Sequence, residues 1–286
     1  MGVALHQPET VEDAVRLAGQ EVDARFLAGG QTLVAMMNSE LIEPAALISL
    51  DRIASLKGIR INGDGSVHIG AMTRHAQIAE SKDLTGVHAI VRDAAQVIAH
   101  PAIRNLGTIG GAVSHGDPNA DFPAALVAAD ATFQVRGGDG EREIAASAFF
   151  QDYLTTDLKD GELVTGVTLP KSPDSGRGHY EKFARADGDY ATVSVAVALA
   201  MTAADKVDWI RIVVGACGPA PVRVAEAEDA LAGGDLDAAA VAQAADKIAA
   251  ACDPLDDVRG STDYRRLLVP RLIAKAVAAT RTRTGD

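Results

Sequence analysis

The sequence predicts an α+β protein of two domains, and three features carry that expectation. Its 286 residues exceed a typical domain of roughly 100–200 residues. Helical spacings and short alternating strand patterns are mixed along the chain. The stretch PKSPDSGRG, Pro170 to Gly178, holds two prolines and two glycines that disfavour both helix and central strand, and so marks a boundary. With 48% hydrophobic and 23% charged residues, the composition is that of a folded chain with a large core.

Thr10 precedes Val11, Ala14, Val15 and Ala18, one face of a helix with a capping hydroxyl at its start. Arg25 to Ala28 reads as a short strand broken by Gly29 and Gly30, after which QTLVAMMN resumes a helical pattern. Leu47 to Leu50 is the next strand. From Gly58 the pattern changes: Ile59 and Ile61, then Val67 and Ile69, alternate around NGDG, the signature of a hairpin that opens a second lobe. Thr73 is placed as the cap of a helix over RHAQIAES, and VHAIVRDAAQVI forms a longer amphipathic helix before Pro101. A second Gly-rich stretch runs from Asn105 to Asp121. An apolar helix, PAALVAA, follows it, with Asp121 as a carboxylate cap and Pro123 early in its first turn. The next hairpin turns at RGGDG. Beyond the boundary, the segments around Tyr180–Met201 and Trp209–Gly218 read as long strands with polar breaks, and the remainder as helices. Asp263 to Arg266 is expected to begin a solvated helix. The domains are therefore placed at 1–172, with lobes of about 1–57 and 58–172, and at 178–286.

The formal net charge of −12 opposes binding to phosphate backbones or anionic lipid, which relies on clustered Lys and Arg. Cys217 and Cys252 cannot form a disulfide framework and are two short of the four thiolates an iron–sulfur cluster normally uses. They are read as small core residues, and any cluster belongs to another chain. The N-terminal stretch lacks a basic segment followed by an apolar one. The longest apolar run, near Val193 to Met201, falls far short of the ~20 residues that span a bilayer, so a cytoplasmic location is expected.

A strand that ends in a Gly pair at a helix start gathers backbone N–H groups around one point, where a phosphate binds without basic side chains. AGGQT fits that arrangement, although in a chain with 27 glycines such pairs are also ordinary turns. In TIGGAVSHGDPNAD, Gly110 and Gly111 again allow close backbone approach, and Thr108, Ser114, Asp117 and Asp121 supply polar groups. Two such loops suit a dinucleotide. The Rossmann fingerprint GxGxxG is absent, and no Gly–Lys pair exists for a Walker-A loop. His115, Asp117 and Asp121 lie in one loop with no second ligand set, which favours hydrogen bonding over a metal site. No GxSxG elbow accompanies Ser114, so a hydrolase triad is rejected.

AGGQTLVAMM, IGAMTRH, HPAIRNLGTIGGAVSHGDPNAD, the Asp–Tyr–Ala after FARADG, and DYRRLL resemble, in order and spacing, the FAD-binding medium subunit of molybdenum hydroxylases of the xanthine dehydrogenase and carbon monoxide dehydrogenase type. The resemblance implies a two-lobed PCMH-type FAD-binding domain, followed by a C-terminal domain with a small antiparallel sheet and helices. It implies that Ala28, Gly29, Gly30, Gln31, Thr32 and Leu33 wrap the pyrophosphate. Thr108, Ile109, Gly110, Gly111 and Ala112 would form a second FAD loop, with Thr73, Ser114, Asp117 and Asp121 as neighbours. Tyr190 would cover the isoalloxazine ring, with Lys182 near the cofactor. The chain departs from the family pattern at Ala112, where Asn is usual, at Ser114, where a small residue is usual, and at His100, where Asp is common. By the same resemblance the FAD is non-covalent, and electrons reach it from [2Fe-2S] clusters on a small subunit. A large subunit carries the molybdenum cofactor, and the assembly is a dimer of heterotrimers. Two alternatives stay open on the residues alone: a stand-alone FAD-dependent oxidoreductase, and a non-redox nucleotide-binding or assembly module.

Overall fold

The computed structural model describes residues 2–283. Met1 and residues 284–286, which the expected domain ranges include, lie outside the described residues. The chain opens with β1 (Ala4–His6), α1 (Val11–Gln20), β2 (Ala24–Leu27), α2 (Leu33–Asn38) and β3 (Ala46–Ser49), a parallel sheet ordered β1-β3-β2. The Thr10 hydroxyl accepts from the Asp13 N–H at 3.1 Å and starts α1, which buries Ala14 and Val15 beside Ile48 and Leu50.

The second lobe begins with the expected hairpin, β4 (Ile59–Ile61) and β5 (Val67–Gly70). Five helices follow: α3 (His75–Ala79), α4 (Ala89–Val97), α5 (Pro101–Arg104), α6 (Ile109–His115) and α7 (Asp121–Ala128). Then come β6 (Thr132–Gly137), β7 (Gly140–Ala145), α8 (Ala146–Phe149), the short pair β8 (Phe150–Asp152) and β9 (Thr155–Thr156), and β10 (Leu163–Leu169). β10 inserts between the two hairpins, giving an antiparallel sheet ordered β4-β5-β10-β6-β7. The rings of Phe133, Phe149 and Phe150 pack with centroids 4.3–5.9 Å apart in its core.

A third sheet, antiparallel and in chain order, comprises β11 (Gly176–Phe183), β12 (Val193–Met201), β13 (Val207–Gly215) and β14 (Val222–Arg223). The helices α9 (Ala225–Asp229), α10 (Ala238–Ala251) and α11 (Thr262–Thr282) complete the described chain. β12 is buried at every residue because α4 and α7 cover the sheet on one side while α11, backed by α10, covers the other. That double covering explains the unbroken apolar run noted above.

Four local expectations are corrected. The connecting stretch is shorter than PKSPDSGRG, since Gly176, Arg177 and Gly178 already pair with β12. Thr73 does not cap α3; Arg74 does, and the Thr73 hydroxyl bonds both the N–H and the carbonyl of Gly58 at 3.0 Å. Asp121 is not the cap of α7 but its first residue, behind Ala120, because its carboxylate turns to side chains of β11. The Asp263–Arg266 turn is not wholly solvated. Arg265 is 2% exposed and donates to the carbonyls of Thr192 (2.6 Å) and Ala216 (2.9 Å) and to Asp257 Oδ1 (2.5 Å). Removing one partner of such a buried set strands the others. Arg265→Met is expected to lower stability by about 3–5 kcal/mol in urea denaturation.

Between the second lobe and the third sheet, His179 on β11 lies 3.3 Å from Asp93 of α4 and 3.3 Å from Glu181. Arg283 pairs with Asp93 at 3.0 Å, and Lys275 with Glu181 at 2.9 Å. The Asp93 carboxylate, joined by Glu181, holds the His179 imidazole above its ordinary range. Its stabilisation is therefore complete below the unfolded value and lost as pH rises through the raised one. The thermal midpoint of the native chain should fall across that window as pH increases, and His179→Gln should flatten the fall.

Candidate functional site

The first lobe, the α6 region and the loop from β11 to β12 meet around a cavity of about 660 Å³. Of the residues singled out from the sequence, Ala28, Gly29, Gly30, Gln31, Thr32, Leu33, Thr108, Gly110, Gly111, Ala112, Ser114, Asp117, Asp121, Lys182 and Tyr190 line it. Thr73 and Ile109 do not. Both are fully buried, and the Ile109 N–H donates to the Thr73 carbonyl at 3.1 Å, so the pair fastens α6 to the end of β5 behind the cavity wall.

The loop after β2 has its glycine for a steric reason. A Cβ on Gly29 would fall 2.1 Å from the Leu106 carbonyl oxygen, so backbone meets backbone there. Gly30 follows at φ +71°, the left-handed region. Beyond this turn the chain enters α2, and the N–H groups of Gly29, Gly30, Gln31, Thr32 and Leu33 donate to no acceptor among the described residues. The Gln31 side chain reaches back to the Gly29 carbonyl at 3.2 Å. Five successive donors are thus left beside the cavity.

The second Gly-rich loop is built differently. Thr108 caps α6, its hydroxyl accepting from Gly111 N–H at 3.2 Å, while Gly110 N–H donates to Ala71 O at 2.8 Å and Ala112 N–H to Thr108 O at 3.0 Å. A Cβ on Gly110 would lie 2.6 Å from that of Ala71. These N–H groups are consumed by the fold, so the loop offers a smooth wall rather than a donor set. Asp117 is also engaged, accepting from Asn119 N–H at 2.8 Å.

Another part of the lining carries charge. Asp121 Oδ2 accepts from Lys182 Nζ at 3.0 Å and Oδ1 from the Tyr180 hydroxyl at 2.8 Å; Lys182 also donates to the Val97 carbonyl at 3.1 Å. Burial pushes the Asp121 carboxyl up, against the pull of the Lys182 ammonium, and lifts the Tyr180 phenol well above its ordinary range. Lys182 lines the cavity and keeps a third donor without a partner among the described residues. Tyr190 stands at the mouth, 43% exposed.

The sequence reading passed over several lining residues. His75 is 5% exposed and packs on Phe122 with centroids 5.2 Å apart, and it also borders the cavity. Burial, aided by Arg104, pushes its pKa down to about 4, so its ring is neutral near pH 7. Ala99 lines the wall at φ +42°, and Arg104 bonds the carbonyls of Ile98 and Ala99 at 2.8 Å each. No local pattern signals these positions, since long-range packing alone brings them to the wall.

Residues 1–172 match the family described as the FAD binding domain in molybdopterin dehydrogenase. The chain belongs to that family. Residues 178–280 of this FAD-binding subunit match the CO dehydrogenase flavoprotein C-terminal domain. It is 36% identical to the carbon monoxide dehydrogenase medium chain of Hydrogenophaga pseudoflava, over 96% of this chain and 95% of that one. It is also 36% identical to the 6-hydroxypseudooxynicotine dehydrogenase complex subunit alpha of Paenarthrobacter nicotinovorans, over 96% and 94%. Its fold resembles that of the solved carbon monoxide dehydrogenase from Hydrogenophaga pseudoflava with a TM-score of 0.94, 36% identity and 98% and 97% coverage. For quinoline 2-oxidoreductase from Pseudomonas putida 86 the TM-score is 0.92 at 27% identity, with the same coverage. The protein is thus an FAD-binding medium subunit of the molybdenum hydroxylase family, an oxidoreductase component with the two-lobed domain and C-terminal sheet that the resemblance implied.

The cavity fits the cofactor on its own geometry. Its lining combines unpartnered N–H groups at Gly29–Leu33 suited to a pyrophosphate, a side-chain-free wall at Gly110–Gly111, and charged and aromatic side chains. Gly29→Ala is expected to drive the two loops apart. FAD affinity measured by flavin fluorescence should fall at least about tenfold, the loss of roughly one well-placed contact set, while far-ultraviolet circular dichroism stays unchanged.

Proposed function

We propose that this chain is the electron-transfer subunit of a molybdenum-containing hydroxylase. It takes electrons from [2Fe-2S] clusters on a small partner subunit to an external acceptor, while substrate is hydroxylated at a molybdenum cofactor on a large one. The assembly is a cytoplasmic dimer of heterotrimers. The observation that carries the reading is the run of five unpartnered N–H groups at Gly29–Leu33 beside a 660 Å³ cavity, in a chain of this family.

In this reading residues 1–172 form the FAD-binding domain, in lobes of about 1–57 and 58–172, and residues 178–286 the C-terminal domain. Ala28 to Leu33 hold the pyrophosphate through backbone donors. Thr108, Gly110, Gly111, Ala112 and Ser114 form the opposite wall, and Thr73 and Ile109 support that wall from behind. Asp117, Asp121 and Lys182 set the charge beside the flavin, and Tyr190 covers its ring. FAD, when bound, supplies the capacity to collect electrons singly and release them as a pair. This chain's own residues hold it, exclude water from it and fix the fields around it.

Cys217 and Cys252 support placing the clusters elsewhere. Both are buried in the C-terminal core, where the neighbouring Cys252 thiol, followed by burial, pushes the Cys217 thiol up. Two thiols facing each other in an apolar core cannot complete a four-thiolate cluster. Among the described residues no helix is long and apolar enough to cross a membrane.

The test is the visible spectrum of the complex purified with its native partners, before and after dithionite. Flavin absorption near about 450 nm over broad iron–sulfur absorption, both bleaching, is the expected result. Flavin alone would favour a stand-alone oxidoreductase, and neither chromophore would overturn the reading.

A further inference from the structure

Tyr190 is 43% exposed, and its hydroxyl has no hydrogen-bond partner among the described residues, so its own loop does little to fix its ring. A second segment does. The Arg259 guanidinium lies 5.0 Å from the Tyr190 ring centroid, and Arg259 Nε reaches Asp189 Oδ1 at 3.3 Å. Arg185 of the same flavin-side loop donates to the Val258 carbonyl at 2.7 Å. The segment that carries Arg259 is itself anchored. Asp257 Oδ1 accepts from the N–H groups of Arg259 (2.8 Å) and Gly260 (3.2 Å) and from buried Arg265 at 2.5 Å. Arg265 in turn grips the carbonyls of Thr192 and Ala216 at the ends of β12 and β13. A rigid path thus runs from the sheet through Arg265, Asp257 and Arg259 to Tyr190.

We infer that Arg259 is a positioning residue for the flavin cover: held by the Asp257–Arg265 anchor, it stacks on Tyr190 and fixes that ring over the cavity mouth. The inference rests on the reading of Tyr190 as the residue that covers the isoalloxazine. It also accounts for the buried arginine of the DYRR motif, which a solvated helix start leaves unexplained. Arg259 is not itself a lining residue; it reaches the cavity through the face of Tyr190, with Asp189 as its ion-pair partner. A cation on an aromatic face at a partly exposed site is a modest attraction, enough to choose one orientation of the ring among several.

The experiment titrates FAD into the full-length chain and reads flavin fluorescence, visible circular dichroism and the dissociation constant for the native protein, Arg259→Met, Arg259→Lys, Tyr190→Leu and the Met/Leu double variant. Arg259→Met should relieve part of the quenching that Tyr190 imposes, alter the flavin dichroism and weaken binding about two- to fivefold. Arg259→Lys, which keeps the cation, should recover much of each signal. In the Tyr190→Leu background Arg259→Met should change nothing further. Arg259→Met indistinguishable from native, or an equal effect with Tyr190 absent, would overturn the inference while leaving FAD binding intact. Should Arg259→Met fail to fold, Arg259→Gln removes the same guanidinium charge and must shift the dichroism in the direction expected for Arg259→Met, or the inference falls. If Tyr190→Leu alone leaves quenching and dichroism unchanged, the reading of Tyr190 as the cover fails first. If the native chain binds no FAD, the proposed function itself is wrong.

Discussion

Backbone packed directly on backbone at Gly29 is the contact on which the cavity depends. The carbonyl of Leu106 occupies the place a side chain would take, and this close approach brings the loop after β2 onto the segment leading into α6. Gly107, next in that segment, leaves space for the His75 ring, and Gly110 lets α6 sit on Ala71. The first contact joins the two lobes, and the other two, both within the second lobe, seat the α6 segment on His75 and Ala71. With an ordinary side chain at Gly29 the lobes would stand apart, and the free N–H groups of Gly29 to Leu33 would face open water instead of a bounded cavity.

The second constraint is electrostatic and joins the N-terminal lobes to the third sheet. Asp121 opens α7, a helix buried along its whole length, and reaches Tyr180 and Lys182 on β11. A buried ion pair costs much in lost hydration and persists only where its remaining lone pairs and protons find partners. Here both carboxylate oxygens are used and the ammonium has a second acceptor in Val97. Such a pair adds little net stability but fixes where charge sits. His179, also on β11, faces Asp93, and Arg265 of α11 holds the carbonyls of Thr192 and Ala216 at the ends of β12 and β13, so polar contacts bind the third sheet to both of its neighbours.

Much of this was legible in the residues, and what was missed shares one cause. Thr10 as a cap, the hairpins at NGDG and RGGDG, and the long strands after Pro170 depend on local pattern, and each is present. The Gly-rich loops were visible as a pair, but their difference was not: whether an N–H is free depends on carbonyls of Ala71 and Thr73, distant in sequence and near only in the fold. β10 escaped notice because Leu163–Leu169 is paired on both edges by strands that come earlier. Nothing local marks His75 and Ala99 as cavity residues or Arg265 as buried, since tertiary packing alone places them. Local chemistry thus announced which loops line the cavity, while the distribution of donors within them emerged only from long-range pairing.

That distribution separates two tasks along one cavity. The loop from Ala28 to Leu33 contains no Lys or Arg, so in a chain of net charge −12 its attraction for an anion comes from backbone dipoles that do not titrate. The donors of that loop therefore do not themselves change with pH. Asp117, Asp121, Lys182, Asp189 and Tyr190 line the same cavity as side chains, as do Arg25, His115 and Glu162, and there a redox-active ring would sense them. Neutral His75 lies among the wall residues that both share. Had cations held the phosphates instead, every change in their protonation would have altered binding and potential together; with N–H groups there, substitutions at Lys182 or Asp121 can shift the field at the ring while the anchor stays in place.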